Sequence, residues 1–392
     1  MLRAPLALIL VVGFALLGTD VQRRLQARGI RLPAIEGVFW IFIGFSLGSR
    51  GLGFFPEDIL VRLHPVVLLA LAWVGLVFGM QIEFRVIRRL EPWHRRLGLL
   101  FPLLTGAVVA GVCLRVGAEM LMAFGLGAVA MLATPESLDA LSRSRRPANR
   151  GAVRFLRLLT AFSGIPAVLS FGLASILFSP LSTLAGGHLP WAILLLEVSG
   201  IGLVAGYALL VMARGLSDTV SNITILIGIT ALVAGATSII GISPLPAAAL
   251  TGAIVINRCL FPYRLLKAAH LFERPLLIAL MVLVGAAFRA LAFSWWVFLV
   301  LAILRPLALF VQGWFLSRSL HRRGLCQEAP GLGIGLFPQG ALSLGLLVAL
   351  MGLVEPLPGF LEAAAAALVC NQLLGETWLR RSLFHPTEGR GR

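Results

Sequence analysis

The chain has 392 residues, of which 59% are hydrophobic and 13% are charged, and its mean hydropathy is +0.95. A soluble domain of this length carries more charge, so the composition places the chain among polytopic membrane proteins. The net charge of +16 does not predict nucleic-acid binding, because the basic residues lie in short loops between apolar segments, where they orient membrane proteins. The four cysteines lack CxxC spacing, so neither a metal site nor a disulfide framework is indicated, and no cofactor is expected.

Thirteen apolar segments follow one another, each about long enough for a membrane helix, which needs roughly 17 to 25 residues or somewhat fewer where it is broken. They predict an all-α polytopic membrane protein, with one transmembrane domain over residues 1–380 and a short cytoplasmic tail over 381–392. The segments cover residues 4–21, 32–49, 65–82, 97–115, 119–141, 153–178, 189–213, 219–240, 245–257, 272–290, 294–316, 331–353 and 357–378.

Arginine and lysine are distributed unevenly between the two sides of this topology. Loops after odd-numbered spans, together with the C-terminal tail, hold 27 of the 33 basic residues, and the opposite side holds five. Because cytoplasmic loops carry the excess of positive charge, the bias supports thirteen spans, an N-terminus outside and a C-terminus in the cytoplasm. We expect the membrane to be a bacterial inner (plasma) membrane. The remaining basic residue, Arg305, falls in the middle of the eleventh span.

Two of the apolar segments are interrupted in their middle. Met120–Leu141 contains Thr134-Pro135-Glu136, and Gly331–Leu353 contains Pro338-Gln339-Gly340, about two hundred residues later. Proline removes a backbone donor and clashes with the preceding turn, so regular helix is not expected to continue through either site. Irregular backbone at membrane depth is tolerated only inside protein or beside a water-filled cavity. Paired interruptions of this kind indicate the binding site of a secondary transporter.

The thirteen spans divide into six, one and six. Repeat one covers about residues 4–178, a linker helix about 189–213, and repeat two about 219–378. Because six spans and the linker make an odd offset, the two six-helix repeats run through the membrane in opposite directions, as inverted repeats do. The broken fifth span then corresponds to the broken twelfth.

Four short motifs occur in order: Gly29–Pro33 with Gly44, Gly48 and Gly51–Gly53 in the second span, Gly75–Met80 with Glu83 in the third, Ala133-Thr134-Pro135 in the fifth and Phe337–Gly340 in the twelfth. Their order and spacing resemble the cation:proton antiporter (sodium/hydrogen exchanger) superfamily over nearly the whole chain. The resemblance implies a core bundle, whose broken helices cross near the midplane, moving against a scaffold bundle that usually forms a homodimer. It also implies a monovalent cation and protons as the transported partners.

One position departs from the pattern of this family. In relatives, the span after the first break carries one or two adjacent acids, or an Asn-Asp pair, that bind the cation and the proton. This chain has Ser163-Gly164 at that place, and neither residue can ionise. The basic residue of the eleventh span is present as Arg305. The resemblance therefore implies a divergent member that lacks the usual ion-binding aspartate.

Arg305 is the sharpest single signal, because a charge at the centre of a membrane helix costs roughly 2.5 to 3.5 kcal/mol on insertion scales. It either caps the carbonyl groups of the broken helices or takes part in transport. Arginine keeps its proton in proteins, so proton coupling requires a carboxylate. Glu136 is the first candidate, and it either pairs with Arg305 or caps a half-helix that runs to Leu141. Asn371 and Gln372 in the last span indicate hydrogen bonds between helices.

These residues predict a secondary transporter that exchanges sodium or potassium for protons by alternating access. Two alternatives stay open: a transporter of an anion or organic carboxylate that uses Arg305, and a non-transporting relative that acts as a membrane partner or sensor. An enzyme is not expected, because the spans contain no catalytic triad, HExxH motif or paired carboxylates. The predicted ion site consists of Thr134, Pro135, Glu136, Ser163, Gly164, Arg305, Pro338 and Gln339, without a metal centre.

Overall fold

The structure, a computed structural model, describes residues 33–49, 51–134, 150–178, 189–213, 219–288, 293–322, 333–354 and 359–382, with single residues at 10, 13, 17 and 138. Within these ranges the chain is predominantly helical, and its one β-type contact is a bridge between Gly48 and Phe55. A helix satisfies its backbone hydrogen bonds within one segment, which is what apolar segments of this length require in lipid.

The first half of the chain contains seven described helices. They are α1 (Pro33–Leu47), α2 (Glu57–Arg62), α3 (His64–Met80), α4 (Phe84–Arg89), α5 (Pro92–Arg115), α6 (Met120–Met131) and α7 (Arg150–Leu177). Proline opens α1 and α5, where its missing N–H removes no helical hydrogen bond. The six-residue helices α2 and α4 connect successive spans.

The second half contains eight described helices and two irregular turns. They are α8 (Leu189–Met212), α9 (Thr219–Ile240), α10 (Pro244–Arg258), α11 (Pro262–Ala286), α12 (Trp295–Leu299), α13 (Arg305–Arg322), α14 (Ala341–Met351) and α15 (Phe360–Ser382). A π-helical turn, Val300–Leu304, joins α12 to α13, and a 3-10 turn, Ile334–Leu336, precedes α14.

Seven of the described helical segments are long and apolar enough to cross a membrane, and α6 and most of α14 are shorter apolar helices. Each predicted span from the second to the thirteenth coincides with a described helix. Helix α6 covers only the first part of the fifth span, a π-helical turn lies within the eleventh, and the twelfth is interrupted before α14. The first predicted span lies mostly outside the described residues. The prediction of an all-α polytopic membrane protein is confirmed.

Two helix pairs make backbone contact through glycine. A Cβ at Gly79 of α3 would collide with the carbonyl group of Ala249 in α10, and a Cβ at Gly44 of α1 with that of Val282 in α11. Helices in lipid associate through such close packing, because the hydrophobic effect does not drive them together. In the predicted inverted repeats, the second span (α1) corresponds to the ninth (α10), and the third (α3) corresponds to the tenth (α11). The two glycine contacts are therefore equivalent under the predicted repeat. We call α1, α3 and α8–α11 the scaffold bundle.

The remaining long helices surround the two breaks, and we call them the core bundle. In it, α5, α6 and α7 pack against one another, α12 packs against α15, and α13 packs against α5. The short helix α14 lies against α6. Apolar side chains that include Leu156, Leu309 and Leu336 join α7, α13 and the 3-10 turn in one buried cluster. The breaks are therefore enclosed by protein, which is the condition for irregular backbone at membrane depth.

Candidate functional site at the helix crossover

The two breaks meet backbone to backbone. Helix α6 ends at Met131, and Leu132 is already extended, with φ −74° and ψ 135°. On the other side, Gly340 is extended at φ −105° and ψ −162° before α14 begins. The N–H of Thr134 donates to the carbonyl oxygen of Pro338 at 3.0 Å. The predicted crossing is therefore present, although helix α6 ends before the predicted break at Thr134-Pro135.

Arg305 caps both broken helices. Its side chain is fully buried. Nε donates to the carbonyl oxygen of Ala130 at 3.0 Å, and Nη2 donates to those of Leu132 at 2.6 Å and Leu336 at 3.1 Å. Nη1 donates to the carbonyl oxygen of Phe337 at 2.9 Å. These carbonyls belong to the ends of the two half-helices, which lack helical donors and carry the negative end of the helix dipole. The geometry matches the capping role for Arg305.

The π-helical turn places Arg305 opposite the breaks. The backbone N–H of Arg305 donates to the carbonyl oxygen of Val300, one residue further back than in an α-helix. The matching donor for the Leu301 carbonyl would be Pro306, which has no N–H. Asn371 replaces it, donating from Nδ2 to Leu301 O at 2.9 Å. Single π turns within α-helices are frequent at functional sites.

Helix α7 runs directly against the first break. The Oγ atom of Ser163 accepts a hydrogen bond from the N–H of Ala133 at 3.1 Å, and the Ser163 hydroxyl donates to the carbonyl of Thr160 at 2.8 Å. Gly164 lies against the ring of Phe78 in α3, with which a Cβ would collide. Ser163 therefore holds the break in place, and position 164 has no room for a side chain unless Phe78 moves.

Two amide side chains hold the second break. Gln339 donates from Nε2 to the carbonyl oxygen of Val129 at 2.8 Å, and its Oε1 accepts from Nδ2 of Asn371 at 3.1 Å. Asn371 is fully buried, and its Oδ1 has no hydrogen-bond partner among the described residues. The prediction that Asn371 hydrogen-bonds to neighbouring helices is confirmed. Pro338 packs against Gly375 of α15.

Six of the eight predicted site residues line this crossover or pack against it, while Pro135 and Glu136 lie outside the described residues. Within the part of the chain that the structure describes, no carboxylate lies within ion-pair distance of Arg305, and the described ion pairs both involve histidine. Arg305 meets the carbonyl ends of the half-helices. An anion beside Arg305 would be favoured by the positive N-terminal ends of half-helices instead.

A buried carboxylate that sequence reasoning did not single out lies on α15, one residue after a glycine that packs against the second break. Glu376 on α15 is 7% exposed, and the residue before it, Gly375, packs against Pro338. Glu376 precedes the basic residues Arg380 and Arg381 near the predicted end of the last span, which is typical of an interfacial position. Helix α15 continues beyond that predicted end to Ser382.

These features define an integral membrane protein with two crossing, broken helices. The same fold occurs in the sodium/proton antiporter MjNhaP1 from Methanocaldococcus jannaschii, with a TM-score of 0.63 at 15% sequence identity. The similarity covers 96% of this chain and 96% of the antiporter. Comparisons with protein-family models and with curated proteins find no match. The resemblance to the cation:proton antiporter superfamily is therefore confirmed at the level of the fold.

Proposed function

We propose that the chain is a secondary transporter that exchanges a monovalent cation, sodium or potassium, for protons by alternating access. One observation carries the proposal: Thr134 and Pro338 join two broken helices that Arg305 caps, within an antiporter fold that covers 96% of the chain. Movement of the core bundle against a dimeric scaffold bundle belongs to the same proposal, as do the two inverted repeats. So does placement in a bacterial inner membrane with a cytoplasmic C-terminus.

Neutral oxygen atoms would coordinate the cation. Thr134 and Ser163 supply hydroxyl groups beside the first break, and Ala133 supplies a carbonyl group. Oxygen ligands of this kind suit hard cations. The charge of Arg305 is directed at four carbonyl oxygens, which reduces its repulsion of a cation nearby. Without a carboxylate in this set, we expect low cation affinity.

A carboxylate would carry the proton, because neither Ser163 nor Gly164 can ionise. Two glutamates are candidates for this role. Glu376 is buried one residue after Gly375, which packs against Pro338, and Glu136 follows the first break in the sequence. We expect the exchanged proton to reside on one of them, and substitution of each in turn distinguishes the two.

Flux through the protein in proteoliposomes tests the proposal. With a pH gradient across the vesicles, added sodium or potassium should release protons through the wild-type protein, and choline should not. Glu376→Gln or Glu136→Gln should abolish exchange, whichever is the proton carrier. Glu197→Gln removes a carboxylate from the exposed face of α8 and should leave exchange intact. Folded protein that moves no protons with either cation would contradict the proposal.

A non-transporting membrane partner or sensor is the second candidate. The observation that favours it is that backbone carbonyls accept from four of the five N–H donors of the Arg305 guanidinium. Arg305 is thus engaged mainly in structural hydrogen bonds. Under this candidate, wild-type protein moves no ion, and substitution of Arg305 lowers only stability. Small anions tested in the same vesicles address the remaining alternative, in which Arg305 holds an anion or organic carboxylate.

A further inference from the structure

A polar cleft lies at one end of the scaffold bundle, and none of its lining residues belongs to the crossover. It forms where α3 runs into α4 and where α10 turns into α11, and its volume is about 270 Å³. Its polar lining includes Glu83, Arg85, Asn257, Tyr263 and Arg264. The predicted topology places both turns on the cytoplasmic side of the membrane.

Hydrogen bonds join the two walls of the cleft. Asn257 accepts at Oδ1 from the N–H of Phe84 at 2.8 Å and donates from Nδ2 to the carbonyl oxygen of Ile82 at 2.8 Å. The hydroxyl of Tyr263 donates to Oε2 of Glu83 at 2.8 Å. These contacts fix the start of α4 against the end of α10 and the start of α11. The cleft is thus a built feature of the scaffold bundle, and neither arginine is needed to form it.

Arg85 and Arg264 line the cleft without a carboxylate partner among the described residues. Arg264 lies over the ring of Phe261, with its guanidinium carbon 4.6 Å from the ring centroid. Two arginines and the single carboxylate of Glu83 give the lining a formal charge of +1. That charge matches a phosphodiester, which carries one negative charge, better than it matches a multiply charged phosphate.

Exposed apolar side chains flank the cleft. Leu260 and Phe261 lie on the turn before α11, and Phe84 and Val86 lie on α4. Helix α4 buries none of its residues. A segment that combines arginine with exposed apolar residues beside membrane spans is typical of the membrane interface. These side chains therefore place the two arginines at the depth of lipid head groups.

We propose that this cleft binds the phosphodiester of an anionic phospholipid with a single negative charge, through Arg85 and Arg264. Guanidinium groups donate paired hydrogen bonds to phosphate oxygens, and basic pockets between membrane helices bind phospholipid head groups. The cleft is smaller than the roughly 300 to 1,000 Å³ of pockets for drug-sized ligands, which suits a head group. The bound lipid tethers the scaffold bundle, and not the core bundle, to its leaflet. This inference is independent of the proposed transport.

Lipid binding to the purified full-length protein in detergent tests the inference. Native mass spectrometry counts bound lipids, and thermal unfolding reports stabilisation, after addition of phosphatidylglycerol, phosphatidylcholine, phosphatidylethanolamine or inorganic phosphate. Arg85→Gln combined with Arg264→Gln removes the two cleft arginines. Arg88→Gln combined with Arg89→Gln is the matched control, because it removes two exposed charges that do not line the cleft. Unfolding temperatures without lipid establish that both variants fold.

Phosphatidylglycerol should bind the wild-type protein and the control variant, and its affinity for the cleft variant should fall by about tenfold or more. The other lipids and inorganic phosphate should stabilise the wild-type protein and the control variant less than phosphatidylglycerol does. Equal loss in both variants would indicate diffuse surface attraction and overturn the inference. If phosphatidylethanolamine binds the wild-type protein as tightly as phosphatidylglycerol does, the proposed specificity for an anionic lipid is overturned. If inorganic phosphate stabilises the protein as much as phosphatidylglycerol does, the cleft is a site for free phosphate instead.

Discussion

The backbone N–H of Thr134 and the carbonyl oxygen of Pro338 form a hydrogen bond of 3.0 Å, which joins the two breaks of the core bundle. Each backbone group left without a hydrogen bond at membrane depth costs several kcal/mol. The first break therefore supplies the donor, and the second break supplies the acceptor. Arg305 and Gln339 add side-chain contacts to the same junction. The crossover is therefore one structural unit, and a change in one broken helix affects the other.

Substitution of Gly340 tests how tightly the breaks are packed. A Cβ at this position would lie 2.8 Å from Oγ1 and 3.0 Å from Cβ of Thr134. The backbone of Gly340 suits alanine, so steric overlap alone should lower the free energy of unfolding of Gly340→Ala by about 1 to 3 kcal/mol. Thermal unfolding in detergent measures the loss. Gly228→Ala on α9 is the control, since nothing lies within 4 Å of its Cβ. Similar unfolding temperatures for the two variants would contradict tight packing.

Arg305→Leu should be among the most destabilising substitutions in the chain. It leaves four carbonyl groups at the crossover without their donor, and we expect a loss of more than about 3 kcal/mol in unfolding free energy. Arg305→Lys should retain part of this stability, because an ammonium group has three donors. Fluorescence-detected gel filtration after heating measures the effect. Arg318→Leu, which removes an exposed arginine from the same helix, is the control. If the two leucine variants unfold at the same temperature, Arg305 does not cap the crossover.

The amide pair at the second break should show energetic coupling. Gln339→Ala and Asn371→Ala each remove one partner of the 3.1 Å hydrogen bond between them. The double variant should therefore be less destabilised than the sum of the single variants, by about 1 kcal/mol. A double-mutant cycle on unfolding free energies measures this difference. Gln339→Ala combined with the distant Thr230→Ala should be additive, because Thr230 bonds only within α9. Additivity of the amide pair would contradict the coupling.

Ser163→Asp should strengthen cation binding at the first break. The new carboxylate would stand beside the N–H of Ala133, from which the Oγ atom of Ser163 now accepts a hydrogen bond. Sodium affinity, measured by calorimetry, should rise and become dependent on pH, because the cation and the proton then compete for one carboxylate. Ser163→Asn matches the aspartate in shape without its charge. If both variants bind sodium equally, the position does not take part in cation binding.

The helical spans and the breaks could be predicted because their causes are local in the sequence. Apolar length determines the spans, and proline ends regular helix near Thr134 and Pro338. The sequence allows two roles for Arg305, and its contacts with carbonyl groups support the capping role. The burial of Glu376 could not be predicted, because it depends on how α15 packs against other helices.

The absence of room for a side chain at Gly164 could not be predicted from the sequence for a related reason. The ring that fills it belongs to Phe78, in a different span. The π-helical turn also depends on distance in space, since Asn371 supplies the donor that Pro306 lacks. Local periodicity identifies each helix. It does not indicate which side chain of another helix packs against it or satisfies its backbone groups.

Arg305 has a further consequence for a bundle that moves. Its guanidinium is fixed to both broken helices, so it travels with the crossover whenever the core bundle changes its position in the bilayer. One elementary charge that crosses the full membrane potential contributes about 2.3 kcal/mol per 100 mV, and a partial crossing contributes in proportion. In the proposed transport cycle, the charge of the proton-carrying glutamate offsets that of Arg305 when the glutamate is ionised, so the resting voltage of the cell acts on the form of the core bundle in which the glutamate is protonated.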